Sequence, residues 1–91
     1  MIQIRTEREK GTYRSFSIDG HAGYAEAGED IVCAAVSALV INTINSIEKF
    51  TEFTADVSPE TALLMDSLML GLSDVQKAYG DRYLCIRQRE T

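Results

Sequence analysis

The residues of this 91-residue chain best suited to chemistry are a histidine, His21, and a cysteine, Cys33. His21 is the only histidine, and Cys33 is one of two cysteines. They lie in the runs Gly20-His21-Ala22-Gly23 and Asp30-Ile31-Val32-Cys33-Ala34-Ala35-Val36-Ser37. Only a thiolate attacks carbon, and a thiol near neutral pH is mostly protonated, so its surroundings must stabilise the anion. A helix N-terminus does so with free backbone N–H groups and the positive end of the macrodipole. Asp30 is a good N-cap type followed at once by an apolar run, so Ile31, Val32 and Cys33 read as the first three helical positions. A nearby His21 could take the thiol proton and hold it as imidazolium. The Asp30 charge opposes a thiolate but stabilises that imidazolium. Ser37 lies one turn beyond Cys33 on the same face. Its hydroxyl either hydrogen-bonds within the site or bonds back to a helix carbonyl.

Gly20, Gly23 and Gly28 bracket a loop between a strand and this helix. Glycine permits positive φ and close approach of another backbone. The loop is therefore either a lid or substrate-binding surface, or a simple turn. Thiol, imidazole and helix start together are the parts of an activated sulfur nucleophile. The plain alternative is a cysteine buried as a small hydrophobe beside a structural histidine.

The run GHAGYAEAGEDIVCAAVSAL closely resembles the signature of the ribosomal-processing cysteine protease (Prp) family. The later run SPETALLMDSLMLGLSDVQKAYGDRYLCIR resembles that family's second helix and last strand. The resemblance implies a small α+β cysteine peptidase, a single protease domain over residues 1–91. It implies a substrate: the N-terminal extension of the large-subunit ribosomal protein numbered twenty-seven, cut after an aromatic residue. It also implies a homodimer. The catalytic positions fall on Cys33 and His21. The motif's other polar positions fall on Asp30 and Ser37, and its glycines on Gly20, Gly23 and Gly28. The family carries a longer β-hairpin between its two helices. Here Thr54-Ala55-Asp56-Val57 runs straight into Ser58-Pro59-Glu60, leaving room for one short strand.

Ninety-one residues, 45% of them apolar, support one modest core, and dimerisation would help a domain this small bury its apolar faces. A net charge of −5 argues against nucleic-acid binding, which needs a basic surface, and suits either a basic polypeptide substrate or mere solubility. One histidine and two cysteines are too few for a convincing zinc site, and no cofactor is implied. The start Met1-Ile2-Gln3-Ile4-Arg5 lacks an apolar signal core. The apolar run Ile31 to Ile41 falls short of the ~20 residues of a membrane span. The expectation is a cytoplasmic protein without membrane contact.

The elements that must position the site follow from periodicity. Ile2 to Arg8 and Thr12 to Asp19 alternate as strands around a Glu9-Lys10-Gly11 turn. In the second strand, alternation puts Tyr13, Ser15 and Ser17 on one face and Arg14, Phe16 and Ile18 on the other. Helix one is expected over Ile31 to Phe50, deeply buried in its apolar N-terminal half, with Asn42 and Asn45 towards solvent. Phe50 to Val57 fits a short strand. Helix two opens with Ser58 as N-cap and Pro59 at its first position, and Gly80 fits its C-cap. Leu63, Leu64, Ser67, Leu68 and Leu72 fall near helical spacing, and Met65 and Met69 line an adjacent core strip. Gly71 weakens that helix, which points to close packing there. A last strand spans Arg82 to Arg89, with Cys85 structural inside it. The order ββα(β)αβ predicts two helices packed on a small antiparallel sheet.

Three functions compete. In a peptidase, Cys33 attacks the scissile carbonyl, His21 serves as base and then acid, and Cys33 N–H or the glycine loop holds the oxyanion. Tyr24 would then line an apolar substrate pocket or sit on the surface. In a non-catalytic adaptor, loop and helix form a groove for a ribosomal-protein segment. A thiol redox protein is disfavoured, because Cys85 sits in another element and no C-x-x-C pair exists.

Overall fold

A computed structural model describes residues 1–26, 30–51 and 59–91. The elements are β1 (Ile2–Glu9), β2 (Thr12–Asp19), α1 (Ile31–Phe50), α2 (Pro59–Tyr79) and β3 (Leu84–Glu90). Gly28, Ser58 and the part of the expected short strand beyond Thr51 lie outside the described residues, while Phe50 ends α1 and Thr51 is its C-cap.

β1 and β2 form an antiparallel hairpin in which Ile4 faces Ile18 and Thr6 faces Phe16. Lys10 and Gly11 at its tip both have positive φ (52° and 81°), the backbone a tight two-residue turn requires. β1 also pairs with β3, Ile2 beside Leu84 and Ile4 beside Ile86, and this pairing is parallel. The sheet is therefore mixed, in the order β2-β1-β3, and not wholly antiparallel. Two helices lie between β2 and β3. The fold is α+β, as expected.

Alternation along β1 buries Ile2, Ile4 and Thr6, and β3 adds Leu84. Val32 and Val36 of α1 and Leu68 and Leu72 of α2 close the core over them, with Met65, Met69 and Val75 packed at its margin. Cys85 falls on the opposite face of β3 from Leu84 and Ile86.

The pairing register shifts between Glu7 and Arg8, so Ser15 faces Glu7 but Tyr13 faces Arg8 and Arg14 is unpaired. This bulge moves Tyr13 onto the face of Phe16, where simple alternation does not put it. There its hydroxyl donates to Asp66 of α2 at 2.6 Å. The Arg8 guanidinium lies 5.0 Å from its ring centroid. Burial, then the hydrogen bond to Asp66, pushes the Tyr13 pKa up to about 12.

The helices follow their sequence signals. Asp30 caps α1, and its side chain accepts from Val32 and Cys33 N–H. Gly80, at φ 107°, ends α2 with its N–H on the Gln76 carbonyl. Gly71 meets α1 where a β-carbon would stand 3.1 Å from a methyl of Leu39, so a small residue sets the approach of the helices. Leu63 and Ser67 face outward rather than into the core.

α1 is less buried than its apolar composition suggests. Val32, Val36 and Thr43 are its buried residues, while Ile41 is 58% and Ile44 51% exposed. A three-stranded sheet and one neighbouring helix cover a limited stripe, and Ile31, Ile41, Ile44 and Phe50 stay exposed with Asn42 and Asn45. By length and composition this continuous helix does meet the requirement for a membrane span, which the Ile31–Ile41 run does not. A core helix of a soluble protein meets it too.

Candidate active site

The site forms where the loop after β2 crosses the first turn of α1. Its geometry begins with Gly20, which has φ 90° and packs under the Met1 carbonyl so closely that a β-carbon would collide with it. Two residues on, Ala22 is buried, and its N–H donates to the Cys33 sulfur at 3.3 Å. Gly23 then turns at φ 71°, with open space where a β-carbon would lie. Tyr24 N–H donates to Asp30 Oδ2 at 3.1 Å. Residues 20, 22 and 24 are thus the fixed points of the loop. His21 and Gly23, between them, line an open cleft of about 540 Å³ together with Ala25, Asp30, Cys33, Ala34 and Ser37.

Asp30 joins the two halves of this site. Oδ1 accepts from Val32 N–H and Cys33 N–H, both at 3.0 Å, while Oδ2 holds the loop. The Cys33 N–H above all outweighs the desolvation cost and, with the Tyr24 N–H, the Cys33 thiol and the Val32 N–H, holds the Asp30 carboxyl below the usual carboxylate range. A carboxylate with a lowered folded pKa stabilises the fold fully above its unfolded pKa and loses that contribution as pH falls through the folded value. The loop is therefore expected to stay docked through the ordinary carboxylate range and release only at more acid pH. Amide exchange at Tyr24, followed against pH, reads this directly. Release beginning at pH 5–6 would contradict it.

The structure brings His21, Gly23, Asp30, Cys33 and Ser37 to one cleft, with Gly20 setting the loop's entry. It places Tyr24 differently from a pocket wall. Its ring packs edge-on against Tyr79 and Tyr83, at centroid distances of 5.6 and 5.1 Å. Thr43, farther along α1, bonds back to the Leu39 carbonyl, whereas Ser37 opens on the cleft. Sequence reading did not foresee the N–H of Ala22 on the sulfur, or Tyr79 and Tyr83 behind Tyr24. The first is a backbone contact that any residue could make; the others lie far away in the sequence. Backbone donors for an oxyanion are also reduced. Cys33 N–H is committed to Asp30 and Ala22 N–H to the sulfur, whereas the N–H of Gly23, a cleft-lining residue, has no partner among the described residues. Among the described residues, no three His, Cys, Asp or Glu side chains group as metal ligands.

A thiol at a capped helix start that shares a cleft with a histidine suits nucleophilic catalysis. The family model described as cysteine protease Prp matches residues 1–84. The chain belongs to that family. The ribosomal processing cysteine protease Prp of Bacillus subtilis (strain 168) is 47% identical over 49 residues, covering 52% of this chain and 43% of the relative. The Staphylococcus aureus (strain Mu50 / ATCC 700699) protein of the same name is 25% identical over 93 residues, covering 84% and 88%. Among solved structures, that of SMU.848 from Streptococcus mutans matches with a TM-score of 0.84 and 27% identity over 100% of this chain and 96% of that one. The S. aureus Prp structure in complex with a covalently linked product peptide matches with a TM-score of 0.90 over 98% and 100%. At 22% identity this last likeness speaks for the shared fold.

Proposed function

We propose that this chain is a cysteine endopeptidase that removes the N-terminal extension of large-subunit ribosomal protein twenty-seven, cutting after an aromatic residue. The observation that carries the reading is the Ala22 N–H donated to Cys33 Sγ at the start of α1, within a cleft that His21 also lines. Membership of the Prp family, whose curated relatives are named ribosomal processing proteases, supports it. His21 takes the Cys33 proton, and the sulfur attacks the scissile carbonyl. Gly23 N–H meets the developing oxyanion. His21 returns the proton to the leaving amine, and water then hydrolyses the thioester. Asp30 fixes loop to helix, and Ser37 borders the bound peptide.

The working form in this reading is a homodimer in a reducing cytoplasm. The exposed apolar face of α1 around Ile41 and Ile44 supplies surface for a second copy, and both cysteines are free thiols. A synthetic peptide spanning the extension's cleavage segment tests the activity. One cut after the aromatic residue, read by mass spectrometry, is expected. Binding without cleavage would favour the adaptor. The activation of Cys33 is tested separately with iodoacetamide. Cys33 is expected to react faster than Cys85, and His21→Ala to slow it. Equal rates at the two thiols would argue against an activated nucleophile.

A further inference from the structure

Three contacts hold the loop that carries His21, and they differ in kind. Gly20 is held sterically under Met1, and Ala22 by burial and its bond to sulfur. Tyr24 is held by its N–H on Asp30 and by its ring, which meets Tyr79 at an interplanar angle of 82° and Tyr83 at 71°. Tyr79 is the last residue of α2, and Tyr83 directly precedes β3. The Tyr83 carbonyl accepts from Ile2 N–H, which fixes it to the sheet, and the Arg82 guanidinium lies 5.3 Å from the Tyr83 ring centroid. Neither tyrosine lines the cleft.

We infer that Tyr79 and Tyr83 form an aromatic seat for Tyr24 that keeps the His21 loop docked on α1, which makes both of them positioning residues of the site. The seat is weakly coupled to the global fold, because Tyr24 is 42% and Tyr79 36% exposed. Edge-to-face ring pairs of this kind each shift a local equilibrium by about two- to tenfold. They need no hydroxyl, so phenylalanine should serve as well as tyrosine. When the seat is lost, part of the population has an undocked loop. Apparent affinity falls by the docked fraction, while turnover of the bound complex changes little.

Amide hydrogen exchange tests the seat without reference to activity. In Tyr79→Ala/Tyr83→Ala, exchange at Ala22 and Tyr24 is expected to rise about tenfold or more, with the β1 amides of Ile4 and Thr6 unchanged. In Tyr79→Phe/Tyr83→Phe it should match the wild type. Unchanged exchange at Ala22 and Tyr24 would overturn the inference. So would an equal rise at Ile4 and Thr6, or a Phe variant that exchanges like the Ala variant. The kinetic consequence rests on the peptidase reading: KM for the extension peptide rises by the inverse of the docked fraction, with kcat within about threefold. A fall in kcat at unchanged KM would overturn the assignment of these residues to loop docking. A wild-type protein that cleaves nothing would sink the peptidase reading, and the exchange result would still decide the seat.

Discussion

Cys33→Ala is expected to reduce kcat on the extension peptide by at least about 10⁴-fold while the protein folds and still binds that peptide. The argument is local. The substitution removes the sulfur that accepts the Ala22 N–H but leaves the Asp30 cap, whose bonds go to backbone atoms. Cys33 is only half-buried, so the loss of stability should be about 1 kcal/mol or less, a Tm shift of no more than roughly 4–8 °C. Turnover and peptide affinity measured on the same preparation separate chemistry from folding. Retained turnover would remove Cys33 from the mechanism. Lost binding would mean that the sulfur organises the loop rather than attacking substrate.

The second large effect is on stability. Gly20→Ala is expected to cost about 2–5 kcal/mol, the sum of a left-handed backbone, about 1–2, and overpacking against a backbone carbonyl, about 1–3. A domain whose total stability is of the order of 5–15 kcal/mol tolerates that poorly. Gly23 is the internal control. Its φ is also positive, but a β-carbon there meets nothing within 4 Å, so Gly23→Ala should cost only the backbone contribution, about 1–2 kcal/mol. Urea denaturation of the two variants side by side checks the contrast. Equal losses would show that Met1 moves aside and that only the backbone angle matters at Gly20. Because Gly20 precedes His21 directly, cleavage should fall further in the Gly20 variant than its loss of folded protein explains.

Much of the fold was legible because its signals are local. β2 and α1 fall on the expected residues, Asp30 caps α1, and Gly80 ends α2. Each depends on neighbours within a turn or a strand. What stayed hidden depends on distant partners. Nothing in the alternation of β3 says that it joins β1 and does so in parallel. A single unpaired residue in β2 reverses the face of Tyr13, and alternation has no means of showing that. The apolar content of α1 shows how much it could bury but not how much surface a three-stranded sheet offers. The site divides in the same way. His21, Gly23, Asp30, Cys33 and Ser37 stand close together in sequence and line one cleft. The ring partners of Tyr24 come from the far end of the chain.

The central position of β1 has a consequence for the order of assembly. Its partners are the strand that follows it at once and the strand formed last, so the hairpin can close early while Ile2 waits for Leu84. Contacts of such long sequence separation form late, after loop-closure entropy has been overcome. The loop beside Cys33 leans on both sides of that late junction, on Met1 at Gly20 and on Tyr83 at Tyr24. During synthesis the cleft is therefore incomplete until the final strand has joined the sheet. A nascent chain carries Cys33 and His21 long before the surface between them has its final shape.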